Sequence, residues 1–117
     1  VRKKVPRKVE ITCVGMQHRV TMSTRRMLRA HVEEAPLTVS LVRERDNFMD
    51  KNAIMVVVSD KDSPYDGMHV GYVPRGIAAE WAKHIDSKAI LITSAMLLSV
   101  DPDDGEGELH IKLKTPG

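Results

Sequence analysis

Residues able to do chemistry are concentrated between Leu41 and Ile54, LVRERDNFMDKNAI, where Asp46, Asn47, Asp50 and Asn52 surround Phe48 and Met49. Alternating apolar residues run into this segment and resume after it, so a strand breaks into a polar loop and restarts as another strand. Short polar side chains of this kind hydrogen-bond their own backbone and hold tight, non-repetitive loops. Two readings follow: a self-tied turn, and a binding loop on a rigid scaffold. A second block, Val70 to Ala79 (VGYVPRGIAA), adds Tyr72 and Arg75 at a strand-to-helix junction, and Gln17, His18 and Arg19 follow the end of an earlier strand. Arg75 opens a helix, where free backbone amides favour an anion. If the three segments converge, they supply cations for phosphate, flat or soft side chains for bases, and amide or carboxylate groups for sugar hydroxyls. Those are the requirements of single-stranded nucleic acid. In the competing reading Tyr72 packs, Asp50 ties its own turn and Arg75 is solvated.

Enzyme signatures do not accompany these residues. The chain has no glycine-rich phosphate loop, nucleophile elbow or paired helical histidines, and its single Cys13 lies in a strand. The five histidines (His18, His31, His69, His84, His110) lack metal-ligand spacing. The Asp-rich stretches DKDSPYDG and DPDDGEGE lack the alternating ligands, central Gly and distal Glu of a calcium loop, and read as hairpin turns. The expectation is a non-catalytic module with no cofactor and no metal.

At 117 residues and 42% hydrophobic content the chain is one ordinary globular domain. With four aromatics, Phe48, Tyr65, Tyr72 and Trp81, its core is expected to rest on Val, Ile, Leu and the seven Met. A lone cysteine excludes an intrachain disulfide, and no apolar run reaches a membrane span or a signal-peptide core. The expected setting is intracellular; the missing initiator Met reads as processing or trimming. Net charge is +2, but Val1 to His31 carries nine bases and one acid, for +8, and the remainder nine bases and fifteen acids, for −6. Such a basic third suits an anionic partner; a solvated tail plus a charged helix face is the other reading.

The elements that must position these groups follow from periodicity. Residues 1–8, with RKKVPRK, form a basic arm ahead of a single domain over 9–115. A first strand runs from Val9 to Val14. A helix capped by Ser23 or Thr24 reaches Glu34, with Met27, Leu28, Ala30, Val32 and Ala35 on its apolar side and Arg25, Arg26, Arg29 and Glu33 on its wet side. Strands follow at Leu37–Leu41, Ala53–Ser59 and His69–Val73, then an amphipathic helix from Arg75 to Ile85. Lys88 to Val100 reads as a buried strand, and Leu109 to Leu113 as the last. About six strands and two helices result.

The combination Leu41-Val42-Arg43-Glu44, Asp46-Asn47, Asp50-Lys51-Asn52-Ala53-Ile54 and Val70-Gly71-Tyr72-Val73-Pro74 resembles the HIRAN domain, and Val14-Gly15 with Gln17-His18-Arg19 is similar to the first motif of its bacterial members. The resemblance covers roughly Ile11 to Ile85. It implies a mainly β fold with two helices, a small OB-like β-barrel, of the stand-alone type found in bacteria and phages. It further implies binding of single-stranded DNA at its 3′ end, as in fork-remodelling translocases, within DNA repair or replication. By position, Asp50 would face the terminal hydroxyl with Asn47 beside it, His18 would stack a base, and Tyr72 and Arg75 would flank phosphates. Gln17, Arg19, Arg43, Met49 and Lys51 complete the expected DNA-binding set. Where the eukaryotic domain has Pro-Tyr before the aspartate this chain has Phe48-Met49, and where it has a first-loop tyrosine this chain has His18. The alternative is a protein-interaction module presenting an edge strand or the Phe48-Met49 knob to a replication or repair partner.

Overall fold

The computed structural model describes residues 7–116. The basic arm therefore lies outside the described residues except for Arg7 and Lys8, which open strand β1 (Arg7–Cys13), two residues ahead of its expected start at Val9, and pair with Leu113 and Lys112. A 3-10 turn (Met16–His18) leads to helix α1 (Met22–Glu34), then β2 (Leu37–Arg43), β3 (Ile54–Val58), β4 (His69–Tyr72), helix α2 (Arg75–Asp86), β5 (Leu91–Asp101) and β6 (Glu106–Lys114). The strands form an antiparallel sheet in the order β1-β6-β5-β2-β3-β4. Strand twist curls this sheet until its two edges meet: Val14 and Tyr72 exchange both backbone hydrogen bonds at 2.8 Å. The result is a curled half-barrel of the expected class, touching its own edge at one rung.

Closure depends on Gly71. A Cβ there would stand 2.6 Å from Cys13 Sγ and 2.7 Å from the Val14 carbonyl oxygen, so only glycine lets β4 approach the end of β1. The buried faces contribute Ile11, Cys13, Leu37, Val39, Ile54, Val56, Val58, Val70, Leu97, Leu109, Ile111 and Leu113, closed over by Leu28 and Val32 of α1 and Ala78 of α2. Burial pushes the Cys13 thiol up to about 12, which makes it a packing residue rather than a nucleophile. Methionine carries less of the core than composition implies. Met16 alone is buried among the methionines, and Met27 and Met49 face solvent.

Two elements depart from the expected pattern. Helix α1 starts earlier, capped by Thr21, whose Oγ1 accepts from the Thr24 amide at 3.2 Å. Its inward face is Arg25, Leu28 and Val32, while Met27, Ala30 and Ala35 are exposed. Arg25 turns in because its guanidinium donates to the Pro102 carbonyl at 2.7 Å and the Val20 carbonyl at 2.6 Å. Carbonyl oxygens replace the water such a cation loses on burial. Strand β5 begins at Leu91, not Lys88, and alternates rather than burying both faces. It pairs with β6 along its length but with β2 only at Leu37 and Thr38, and its Met96 and Leu98 are only half-buried.

Candidate functional site

The β2–β3 loop is tied by its own side chains, as short polar residues at these spacings dictate. Asn47 Oδ1 accepts from the amides of Met49 (2.9 Å) and Asp50 (2.8 Å), and Asp50 Oδ1 accepts from the Asn52 amide at 2.9 Å. Arg43, at the end of β2, braces the loop from below. Its guanidinium donates to the carbonyls of Ala53 (2.8 Å) and Lys51 (3.0 Å) and grips Asp86 at the end of α2 through two bonds of 3.0 and 3.2 Å. Paired guanidinium and carboxylate planes of this kind fix direction as well as distance. Arg45 adds a bond to Asp86 at 2.8 Å, and the Asp86 carboxyl is held below its ordinary range by Arg43 first, against some desolvation.

These ties leave the tip of the loop outward. Phe48 is 99% exposed and Met49 78%. Behind the tip lies an open cleft of about 230 Å³ lined by Val14, Asn47, Met49, Asp50, Ala53, Tyr72, Val73 and Arg75. Arg75, the first residue of α2, donates to the Met49 carbonyl at 2.9 Å and sets its Nε 3.6 Å from Asp50 Oδ2. Asp50 thus keeps one oxygen engaged in the turn and the other turned toward a cation at the cleft.

A second polar group borders the cleft. Glu44 Oε1 accepts from both Tyr72 Oη (2.7 Å) and Asn47 Nδ2 (2.8 Å). These two bonds, Asn47's first, hold the Glu44 carboxyl below its usual range, with Arg19 and His69 adding charge support. Partial burial and then Glu44 itself push the Tyr72 phenol up, so it donates rather than ionises. His69 sits on the same face as Tyr72, with ring centroids 4.8 Å apart and planes at 77°. Strict alternation would put residues three apart on opposite faces. A bulge in the β3–β4 pairing, where Val56 opposes Gly71 but Val57 opposes His69, buries Val70 and Gly71 together and brings His69 and Tyr72 to one side. Burial, then the charge of Arg19, lowers the His69 imidazole below its ordinary value, and its Nε2 lies 2.9 Å from the Gly71 carbonyl oxygen.

Of the ten residues expected at a site, the fold gathers Asn47, Met49, Asp50, Tyr72 and Arg75 around one cleft. Arg19 is close enough to act electrostatically on Glu44, Tyr72 and His69. Gln17 and His18 are exposed on the 3-10 turn beside it, which Gly15, at φ 77°, directs away from β1. Lys51 is exposed at the back of the loop. Arg43 is spent on internal bonds, with only 9% of its side chain exposed. Glu44 and His69 join the site without having been singled out in the sequence; the Arg43-Glu44 pairing in the first motif is the one signal that touches either.

The sequence matches the HIRAN domain over residues 7–115. Three solved structures share its fold. The crystal structure of the HIRAN domain of human HLTF aligns with a TM-score of 0.65 at 21% identity, over 92% of this chain and 75% of that one. A Lactobacillus plantarum protein from a structural genomics consortium aligns at 0.62 and 22% identity, over 94% and 99%. An NMR structure of the HLTF HIRAN domain in its DNA-bound conformation aligns at 0.58 and 21% identity, over 92% and 75%. No curated protein sequence matches the chain.

Proposed function

This chain belongs to the HIRAN domain family, and from that premise we propose that it is a non-catalytic module binding single-stranded DNA at a free 3′ end through the cleft behind Phe48. The observation that carries the reading is the convergence of Asn47, Asp50, Tyr72 and Arg75 on one open cleft at the barrel rim. Among the described residues Asp50 Oδ2 accepts no hydrogen bond and has the Arg75 guanidinium at 3.6 Å, so it retains lone pairs for a hydroxyl donor. A carboxylate there accepts a sugar hydroxyl and repels a terminal phosphate, which is the chemistry of telling a free end from a blocked one. Arg75 and Arg19 supply charge for the phosphates, and the exposed Phe48 and Met49 supply faces for bases. The DNA-bound conformation of the HLTF domain, which shares this fold, supports the choice of ligand. On this reading Arg43 is a brace and not a contact. The module serves DNA repair or replication inside the cell, where free single-stranded ends arise; among the described residues no helix is long and apolar enough to cross a membrane.

Fluorescence anisotropy with a short single strand ending in a 3′ hydroxyl, the same strand ending in a 3′ phosphate, and a blunt duplex tests the reading. Preference for the free end, lost in Asp50→Ala, is the expected result. Equal binding to all three, or binding untouched by Asp50→Ala, would sink the end-reading role. A second reading rests on Phe48 alone. A fully exposed phenylalanine at a loop tip also suits a pocket on a partner protein in replication or repair. Failure of any single strand to bind at low salt would favour it.

A further inference from the structure

Strands β1 and β6 bring together three groups that no local sequence pattern connects. Glu10 and His110 are directly opposed partners in the β1–β6 ladder, and Glu108 lies two residues before His110 on the same outward face. The three donor atoms all lie within 4.8 Å of one another. His110 Nε2 is 2.6 Å from Glu108 Oε2 and 3.4 Å from Glu10 Oε2, so one ring nitrogen faces two carboxylates. A single N–H bonds well to only one of them, and among the described residues neither carboxylate has a lysine or arginine within salt-bridge distance. Next to the trio the sheet dips into an open hollow of about 420 Å³ whose lining includes Asp101 and Glu106 but no Lys or Arg. Lys8 and Lys112 oppose each other one rung further along the same face. Two carboxylates converging on one imidazole, without a fixed cation between them, form a ligand set that a divalent ion completes.

We propose that Glu10, Glu108 and His110 form a surface site for a divalent transition-metal ion of the Zn²⁺ class. The imidazole sets the class, since purely oxygen ligands would favour Mg²⁺ or Ca²⁺, whereas nitrogen with two carboxylates suits Zn²⁺ and Co²⁺. Three protein ligands leave a fourth position for water or for a donor from a partner. Adjacent strands hold the ligands at fixed register, so ordering them costs little beyond side-chain entropy. The histidine spacings along the chain could not reveal this set, because Glu10 and His110 meet only when the first and last strands pair.

The test is titration of the whole chain with Zn²⁺ by calorimetry and with Co²⁺ by visible absorption, in wild type, His110→Ala, Glu10→Gln and Glu108→Gln. Glu10 and Glu108 are exposed and His110 is partly so, and folding of each variant is checked by circular dichroism. One ion per chain is expected, with Co²⁺ bands lost in His110→Ala and Zn²⁺ affinity about tenfold or more weaker in each Gln variant. Mg²⁺ and Ca²⁺ should not compete. Absence of Zn²⁺ binding, binding unchanged in His110→Ala, or equal competition by Mg²⁺, the mark of an acidic face only, would each overturn the proposal. None of these outcomes bears on the cleft at Asp50, which lies on other elements.

Discussion

Strand β3 is flanked by two loops made from similar residues, one packed against the body of the domain and the other held outward. Before it, Asn47 and Asp50 fold the β2–β3 loop over their own amides; after it, Asp60 and Ser63 do the same for the β3–β4 loop, accepting from the amides of Asp62 (3.2 Å) and Tyr65 (3.0 Å). Each loop carries one aromatic. Tyr65 is 9% exposed and meets His31 of α1 edge-on at 5.8 Å, whereas Phe48 is 99% exposed. The turn chemistry is therefore neutral about function. What separates the loops is the neighbour: α1 lies over one, and the other is held outward by Arg43 and Arg75 beneath its backbone.

Truncating both aromatics should separate the two loops most strongly. Tyr65→Ala should destabilise the domain by about 3 kcal/mol, as deletion of a packed aromatic does, while Phe48→Ala should stay within about 0.5 kcal/mol of wild type. Urea denaturation of the two variants measures this, and equal losses would show that Phe48 is a packing residue after all. Binding should reverse the order. Phe48→Ala is expected to weaken single-stranded DNA about tenfold, the worth of one stacked base, and Tyr65→Ala, assayed where it remains folded, should bind as wild type.

Arg75→Ala has a smaller expected effect, a several-fold loss of affinity with a log–log salt slope shallower by ~0.7, the signature of one phosphate contact on a single strand. An unchanged slope would assign Arg75 to loop support alone. The smallest effect concerns Glu44. Its folded carboxyl titrates below the ordinary 4.5, so the unfolded chain binds a proton first as pH falls. The stability it contributes is present above that value and is lost as pH drops through the lower folded one. Glu44→Gln, which keeps the acceptor but not the charge, should therefore be less stable than wild type at about pH 6, with a gap that narrows as pH falls toward about 3. Urea midpoints at the two pH values check the sign; a gap that widens on acidification would exclude this role for Glu44.

Much of the scaffold is readable from local signals. The alternation of β2, β3 and β6, the amphipathic spacing of α2 and the breaks at Gly15, Pro36 and Pro74 all depend on residues a few positions apart, and those elements stand near their expected bounds. The turn of Asn47 and Asp50 belongs to the same class, because its bonds span two or three residues. Helix α1 shows where such reasoning fails. Charge alone puts Arg25 in water, and only the arrival of the Pro102 carbonyl, 77 residues away, makes burial the better state. The apolar run from Lys88 to Val100 misplaced the start of β5 and overstated its burial for a related reason, since strand burial is set by what packs on each face and not by how apolar the run is.

The site divides along the same line. Local pattern is enough to put Asn47, Asp50, Tyr72 and Arg75 at or just past strand ends, where loops on a rigid frame become available for contact. Tertiary structure alone decided that Arg43 turns inward to Asp86, that a bulge brings His69 beside Tyr72, and that Glu44 accepts from a phenol 28 residues away. It also decided that Glu10 meets His110 across the first and last strands. The physical reason is range. A bond within one turn is nearly fixed by the residues of that turn, whereas a bond across the barrel forms only when the whole sheet has curled, and its register is set by the packing of every strand between.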